Sequence, residues 1–372
     1  MVNNMMFNNI YEGKKVLITG NTGFKGCWLT TWLISLGADV YGYSIDIPTE
    51  PSMFKVLDLE SKIQNKFGDI RSKNDLASFI TKIEPDFIFH LAAQAIVSKS
   101  YDDPLETIST NVYGTAVLLD ILRFIHFKCI VVLITSDKAY DNVEWIWGYR
   151  ENDNLGGKDI YSGSKGAAEL IIKSYWESFL KSKKDIKILI ARAGNVVGGG
   201  DWSKDRIVVD CINSLRNNLP IELRAPNATR PWQHVLEPLS GYLVLGQLGF
   251  ENKVKNGEPF NFGPSADQLR TVYDLSFALE VKWNGNAHSS KILNSLNVPF
   301  EEANLLKLNC DKALSNLNWK STMDFDQLVE FIINWYKNNY INSNVNMFEL
   351  TQNQIFDYHK LAKEKNINWA NG

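Results

Sequence analysis

The chain has 372 residues, 45% of them hydrophobic, 22% charged and 12% aromatic. That is enough apolar material for one large or two moderate folded domains, which excludes a tail or linker. A formal net charge of -3 supplies no basic field for a phosphate backbone, so no nucleic-acid partner is expected.

The four cysteines, Cys27, Cys129, Cys211 and Cys310, form no CxxC pair. The five histidines, His90, His126, His234, His288 and His359, show no HExxH or paired spacing. Neither a metal nor a disulfide framework is therefore expected. The opening Met1-Val2-Asn3-Asn4-Met5-Met6-Phe7 lacks the charged and apolar regions of a signal peptide, and no apolar run approaches the roughly 18 residues of a membrane span. The expected location is the reducing cytoplasm, with no membrane partner. Lys181-Ser182-Lys183-Lys184 reads as a solvated helix end.

The first predicted strand, Val16-Leu17-Ile18-Thr19, runs into Gly20-Asn21-Thr22-Gly23-Phe24-Lys25-Gly26 and then the helix-like Cys27-Trp28-Leu29-Thr30-Thr31-Trp32-Leu33. Strand, glycine loop and helix in that order form a dinucleotide fingerprint. Gly20 permits the tight turn, Gly23 the approach of backbone to a pyrophosphate and Gly26 close helix packing. The second strand, Val40-Tyr41-Gly42-Tyr43, leads to Asp46, placed to accept from an adenosine ribose, although an ordinary turn residue fits there too. The absence of arginine near that strand end favours NAD over NADP. Asp69 and Ile70, in Gly68-Asp69-Ile70-Arg71, are candidates for the adenine edge.

Three further strands are predicted at Phe87-Ile88-Phe89-His90, Ile130-Val131-Val132-Leu133-Ile134 and Ile188-Leu189-Ile190-Ala191. Nearly continuous apolar strands alternating with helices imply an α/β fold, a Rossmann-type doubly wound parallel sheet. After about Gly198 the sequence turns to Trp-, Pro- and Asn-rich loops, which predicts a smaller, irregular α/β substrate lobe. The division read from the sequence is 1–195 for the NAD-binding domain, with 235–263 returning to it, and 196–234 with 264–372 for the lobe over the cleft. Helices over 105–124 and 161–179 carry apolar residues on more than one face, as a dimer interface requires.

Tyr161-Ser162-Gly163-Ser164-Lys165 places a phenol and an ammonium four residues apart, on one face of a helix. The expectation is that Lys165 lowers the pKa of Tyr161, making the phenol a general base for a sugar hydroxyl. Ser136, at a strand end, completes the group.

Several longer segments add specificity. They are His90-Leu91-Ala92-Ala93-Gln94, Thr110-Asn111-Val112-Tyr113-Gly114-Thr115, Thr135-Ser136-Asp137-Lys138, Trp147-Gly148-Tyr149-Arg150-Glu151, Arg192-Ala193-Gly194-Asn195-Val196, Gly198-Gly199-Gly200-Asp201-Trp202 and Arg230-Pro231-Trp232-Gln233-His234-Val235. With them the chain resembles the CDP-glucose 4,6-dehydratases of the extended short-chain dehydrogenase/reductase superfamily over nearly its whole length. Lysine at 138, after Asp137, marks the CDP-sugar branch; dTDP-glucose dehydratases typically carry Asp-Glu there.

The resemblance implies a hydro-lyase and a set of NAD contacts. From the first half of the sheet these are Gly20, Thr22, Gly23, Phe24, Gly26, Asp46, Asp69 and Ile70. Leu91, Ala92, Ala93, Asn111, Tyr161 and Lys165 follow from later segments. Gln94, Asn195, Arg206 and Arg230 would hold the sugar nucleotide, CDP-glucose. Trp202 and Trp232 fit a lobe core equally well. The chain departs from the family wording at Ala95, where proline is common, and at Asn304 to Asn309.

The implied catalytic set is Ser136, Asp137, Lys138, Tyr161 and Lys165. Tyr161 removes the 4-OH proton, Asp137 protonates the departing 6-OH and Lys138 takes the C5 proton. Lys138 can do so only in its neutral form, and a role in positioning water or the sugar stays open. Two other readings stand beside this one. A 4-epimerase or another nucleotide-sugar dehydratase would share Tyr161 and Lys165, and a non-enzymatic NAD sensor would need neither. A homodimer, or a dimer of dimers, is expected.

Overall fold

The computed structural model describes residues 6–265, 268–285, 292–294, 305–342 and 344–371. Parts of three sequence readings lie outside them: residues 1–5 of the N-terminus, His288 and Asn304.

Seven parallel strands form the central sheet. They are β1 (Lys15–Thr19), β2 (Asp39–Ser44), β3 (Gln64–Phe67), β4 (Phe87–His90), β5 (Cys129–Ile134), β6 (Ile186–Ala193) and β7 (Pro259–Phe262). Their spatial order is β7-β6-β5-β4-β1-β2-β3. The chain winds outward from β1 to β3, then from β4 to β7 in the other direction, so its topological switch lies between β1 and β4. Ligands of such sheets bind at that crevice, beyond the carboxyl ends of the strands.

Side-chain alternation explains why both faces are covered. Val16, Ile18, Ile130, Val132 and Leu189 join one core layer, whereas Leu17, Val131, Leu133, Ile188 and Ile190 join the other. A strand buried on both faces has no polar register, hence the apolar runs visible in the sequence. The first layer includes α1 (Phe24–Ser35). The second includes α2 (Lys73–Ile83), α3 (Gly114–Leu122) and α4 (Ile160–Tyr175). Helix α5 (Leu236–Phe250) packs on β5 and β6 in the first layer, and β7 pairs with β6 from Pro259 opposite Ile190.

The smaller region contains the helix Ile207–Arg216, the pair Thr229–Arg230 with Arg270–Thr271, and the helix Val272–Asn284. The C-terminal helix α6 (Met347–Glu364) instead packs on α1. Trp32 and Tyr358 meet edge-on at 5.8 Å, and Phe7 stacks on Trp369 at 5.0 Å. Residues 347–370 therefore pack against the helical layer of the sheet. The aromatic partners are more than 300 positions apart, a relation that no local pattern contains.

Candidate active site

The glycine loop lies directly on the switch. Gly20 has φ +77°, and a Cβ there would sit 2.7 Å from the Ala92 amide nitrogen, so loop and β4 end meet through bare backbone. A Cβ on Gly26 would lie 2.2 Å from the Gly20 carbonyl oxygen, which lets α1 begin immediately beneath the loop. Gly23 is the N-cap of α1 and provides no side-chain cap, leaving the first-turn amides of α1 without a side-chain acceptor at that position. Bare backbone around uncapped donors fits a dinucleotide pyrophosphate. Phe24 opens the helix, half-buried.

Thr22 donates its hydroxyl to the Asp46 carbonyl at 2.7 Å, tying the glycine loop to the end of β2 and holding the exposed Asp46 at the crevice rim. Asp69 follows β3 and is gripped by Arg71 through Nε and Nη2 at 2.9 and 2.6 Å. Arg71 also donates to Glu106 at 2.5 Å and Ser109 at 2.9 Å. This guanidinium is thus already committed to Asp69, Glu106 and Ser109. The Arg71 contact holds the Asp69 carboxyl below its usual range. Ile70 is buried against Gly114, where a Cβ would come within 2.5 Å of its Cδ1.

Leu91, Ala92 and Ala93 line the end of β4 beside Gly20, half-buried, and the Ala92 amide donates to Thr19 Oγ1. Asn111 is buried; its amide group donates to the Gln94 carbonyl at 3.1 Å and to Ser164 at 2.9 Å. It therefore braces the β4 loop against α4. Gln94 leads from the β4 end into that loop. Its side chain donates to the Ile96 carbonyl and the Thr107 hydroxyl, both at 2.9 Å, and accepts from the Ile96 amide at 2.7 Å. Those contacts close the loop on itself.

At the end of β5, Ser136 caps the turn Asp137–Ala139 and donates to Asp137 Oδ1 at 3.0 Å. Asp137 is only 3% exposed, and burial raises its carboxyl's proton affinity. That is the condition of a general acid. Lys138 is half-buried next to it. Helix α4 brings Tyr161 and Lys165 to the same chamber, both buried. The helix is fixed in register by a buried ion pair: Arg192 of β6 grips Glu169 of α4, which accepts from Thr135 at 2.6 Å.

The expected acidic phenol is not found. Burial pushes Tyr161 up to about 12, opposed by Arg206 and the Ser136 hydroxyl and reinforced by Asp137. That disfavours the phenolate by roughly 3 kcal/mol relative to a free phenol. The i,i+4 spacing does put both groups on one face, but Lys165 Nζ stands 5.9 Å from the Tyr161 ring centroid, and burial pulls its own ammonium down to about 8. Deprotonation of Tyr161 therefore has to be assisted by charge that arrives with ligands.

Arg206 reaches in from the lobe, donates to the Ala95 carbonyl at 3.3 Å and acts electrostatically on Tyr161. Asn195 is half-buried just beyond β6. Arg230 lies farther out, in the strand paired with Arg270, and donates to the Thr229 carbonyl at 2.9 Å. Between sheet and lobe runs a cleft lined by Gly194, Pro231, Gln233, Pro264, Leu269 and Lys307. Trp232 is buried in the core, and Trp202 donates to Tyr340 at 2.7 Å beside Trp335, so both act in packing. Among the described residues no group of three His, Cys, Asp or Glu side chains converges as a metal site.

Sequence reasoning passed over Lys25. Burial draws its ammonium down to about 8, helped by Arg206 and Lys165 and opposed by Asp137. Its signal was a charge inside a glycine loop, immediately before the glycine that packs the helix.

Sheet order, glycine cradle and a Tyr-Lys pair at the strand ends together define a Rossmann-type redox fold. The family described as GDP-mannose 4,6 dehydratase matches residues 17–332, and the chain belongs to that family. It is 43% identical over 337 residues to the CDP-glucose 4,6-dehydratase of Salmonella typhimurium, covering 90% of this chain and 93% of that one. Among solved structures it superposes on a dTDP-glucose 4,6-dehydratase from Streptomyces venezuelae crystallised with NAD, with TM-score 0.74, 20% identity and coverage of 87% and 97%. A Bacillus anthracis dTDP-glucose 4,6-dehydratase in complex with NAD gives TM-score 0.72 at 18% identity, covering 88% and 97%. These two likenesses speak to the fold.

Proposed function

We propose that the chain holds NAD and dehydrates CDP-D-glucose to CDP-4-dehydro-6-deoxy-D-glucose. The carrying observation is that helix α4 brings Tyr161 to the Asp137–Lys138 turn at the end of β5, in a chain 43% identical, over nearly its full length, to a CDP-glucose 4,6-dehydratase. NAD bound at the glycine loop would supply the redox chemistry, accepting a hydride from C4 and returning it at C6 without net consumption. Asp46 at the ribose end, with Arg71 already paired, favours NAD over NADP.

The chain's own groups do the proton work. Tyr161 Oη takes the 4-OH proton as the C4 carbonyl forms, assisted by Ser136, Arg206 and the nearby Lys165. The carbonyl acidifies C5-H, and Lys138 is placed to receive that proton and to return it to C5 when the hydride goes back to C6. Asp137, whose proton affinity burial raises, is placed to donate to the 6-oxygen, which leaves as water. Arg206, Asn195 and Arg230 are the groups suited to the diphosphate and sugar, the arginines through charge-assisted hydrogen bonds. Incubating NAD-loaded enzyme with a panel of nucleotide sugars tests this by mass spectrometry: CDP-glucose should give a product lighter by one water. An isobaric product would establish an epimerase instead, and inactivity towards every sugar would favour an NAD sensor.

We further read the chain as a cytoplasmic homodimer. No helix among the described residues is long and apolar enough to cross a membrane, and its cysteines are free. Leu105, Tyr113, Phe124 and Leu170 are 75%, 56%, 60% and 53% exposed, apolar side chains of the kind a homodimer interface would cover. Light scattering should give twice the chain mass or a multiple of it; a stable monomer at micromolar concentration would contradict the reading.

A further inference from the structure

We propose that Tyr140 is a positioning residue for the elimination: its hydroxyl fastens the exit of the turn that carries Asp137 and Lys138 to the buried Arg192–Glu169 ion pair, which also holds the turn's entry. The inference rests on the dehydratase reading above. At the entry, the Thr135 hydroxyl donates to Glu169 Oε1 at 2.6 Å. At the exit, the Tyr140 hydroxyl accepts from Arg192 Nη1 at 2.6 Å and donates to Asn261 Oδ1 at 2.8 Å. Arg192 joins the two ends, donating to Glu169 through Nε at 2.7 Å and through Nη2.

The chain leaves the sheet after Ile134 and makes one short turn, in which the Ala139 amide donates to the Ser136 carbonyl at 3.1 Å and the Tyr140 amide to the Asp137 carbonyl at 3.2 Å. Hydrogen bonds of so tight a turn have poor geometry, so its aim depends on what holds its ends. Backbone contacts tie it to Ala191 of β6 through the Thr135 amide and to Gly156 through the Ala139 carbonyl, both at 2.9 Å. The Thr135 and Tyr140 side chains carry it across to α4. Glu169 stands one helical turn beyond Lys165 and two beyond Tyr161. Turn and helix are thus held to one ion pair, which sets Asp137 and Lys138 against Tyr161.

Arg192, Glu169, Thr135, Tyr140 and Asn261 are all buried. A buried ion pair adds little stability over an apolar pair of the same volume. What it adds here is direction. The planar guanidinium gives one edge to Glu169 and turns Nη1 to Tyr140 and to the Glu151 carbonyl, the latter at 3.0 Å. Asp137 has to meet the 6-oxygen and Lys138 the C5 proton of one sugar, and a misplacement of about 1 Å can cost about 10²-fold in rate.

The test uses full-length, NAD-loaded enzyme and CDP-glucose, with Tyr140→Phe and Thr135→Val. Phe keeps the ring between the Arg192 guanidinium, 4.7 Å from its centroid, and Tyr149, on which it stacks at 5.1 Å; the hydroxyl alone is removed. Arg192 still grips Glu169, so α4 and Tyr161 stay seated. In Tyr140→Phe, reduction of NAD on mixing should keep its wild-type rate while kcat falls about tenfold, KM changes little and reduced nicotinamide accumulates. Thr135→Val frees the entry, next to the Ser136 hydroxyl that serves Tyr161, and should slow both reduction and turnover. A role in stability alone would lower the folded fraction and leave reduced nicotinamide per folded chain at the wild-type level. That outcome, or a Tyr140→Phe loss that falls on the reduction step or on NAD affinity, overturns the proposal while wild-type enzyme still forms dehydrated product. Should Tyr140→Phe not fold, Thr135→Val decides alone: slowing of both steps upholds the proposal and wild-type rates overturn it. If wild-type enzyme itself forms no dehydrated product, the dehydratase reading fails instead.

Discussion

Tyr161→Phe should leave the fold and NAD binding intact and lower kcat roughly 10³-fold, with no reduced nicotinamide appearing on mixing with CDP-glucose. The phenol oxygen is the group that accepts the 4-OH proton, and without it the C4 carbonyl cannot form at a useful rate. Burial already makes this phenol hard to ionise, at about 12. Lys165 stands 5.9 Å from the ring centroid and burial raises the proton affinity of Asp137, so neither is set to take over the 4-OH proton. Stopped-flow absorbance of the reduced cofactor checks the prediction. Reduction at a wild-type rate would remove Tyr161 from the first half of the reaction.

Asp137→Asn and Lys138→Ala should fail later. Both retain Tyr161, Lys165 and the glycine loop, so C4 oxidation should proceed and reduced nicotinamide should accumulate to a large fraction of enzyme. Wild-type enzyme should show little at steady state. Overall turnover should fall roughly 10²- to 10⁴-fold, the usual contribution of a positioned acid or base. Asn keeps the size of Asp137 and its contact with Ser136 but has no transferable proton, which separates chemistry from packing. If neither variant turns over more slowly nor accumulates reduced cofactor, the elimination roles belong to other groups.

The sheet was legible because a strand buried on both faces shows an apolar run, and because Gly20, Gly23 and Gly26 stand at spacings that only a close backbone approach requires. The Tyr161-Lys165 spacing likewise reported a shared helix face. It could not report electrostatics, since burial acts through distant elements; Arg206, 45 positions from Tyr161, has more influence on it than Lys165. The resemblance names Gln94 for the sugar nucleotide, and no local pattern could report that its amide also closes its own loop on Ile96 and Thr107. Lys25 and Tyr242 are brought together from α1 and α5, a relation invisible to any local window. The same holds for α6 and its seat on α1.

The proposed reaction moves one hydrogen from C4 to C6 of a single sugar and expels the 6-hydroxyl, and CDP-glucose deuterated at C4 reports both events together. After incubation with NAD-loaded enzyme, mass spectrometry and NMR of the product should show the loss of one water and the deuterium at C6. A product of unchanged mass, deuterium remaining at C4, or a dehydrated product whose label has exchanged into solvent would contradict the account.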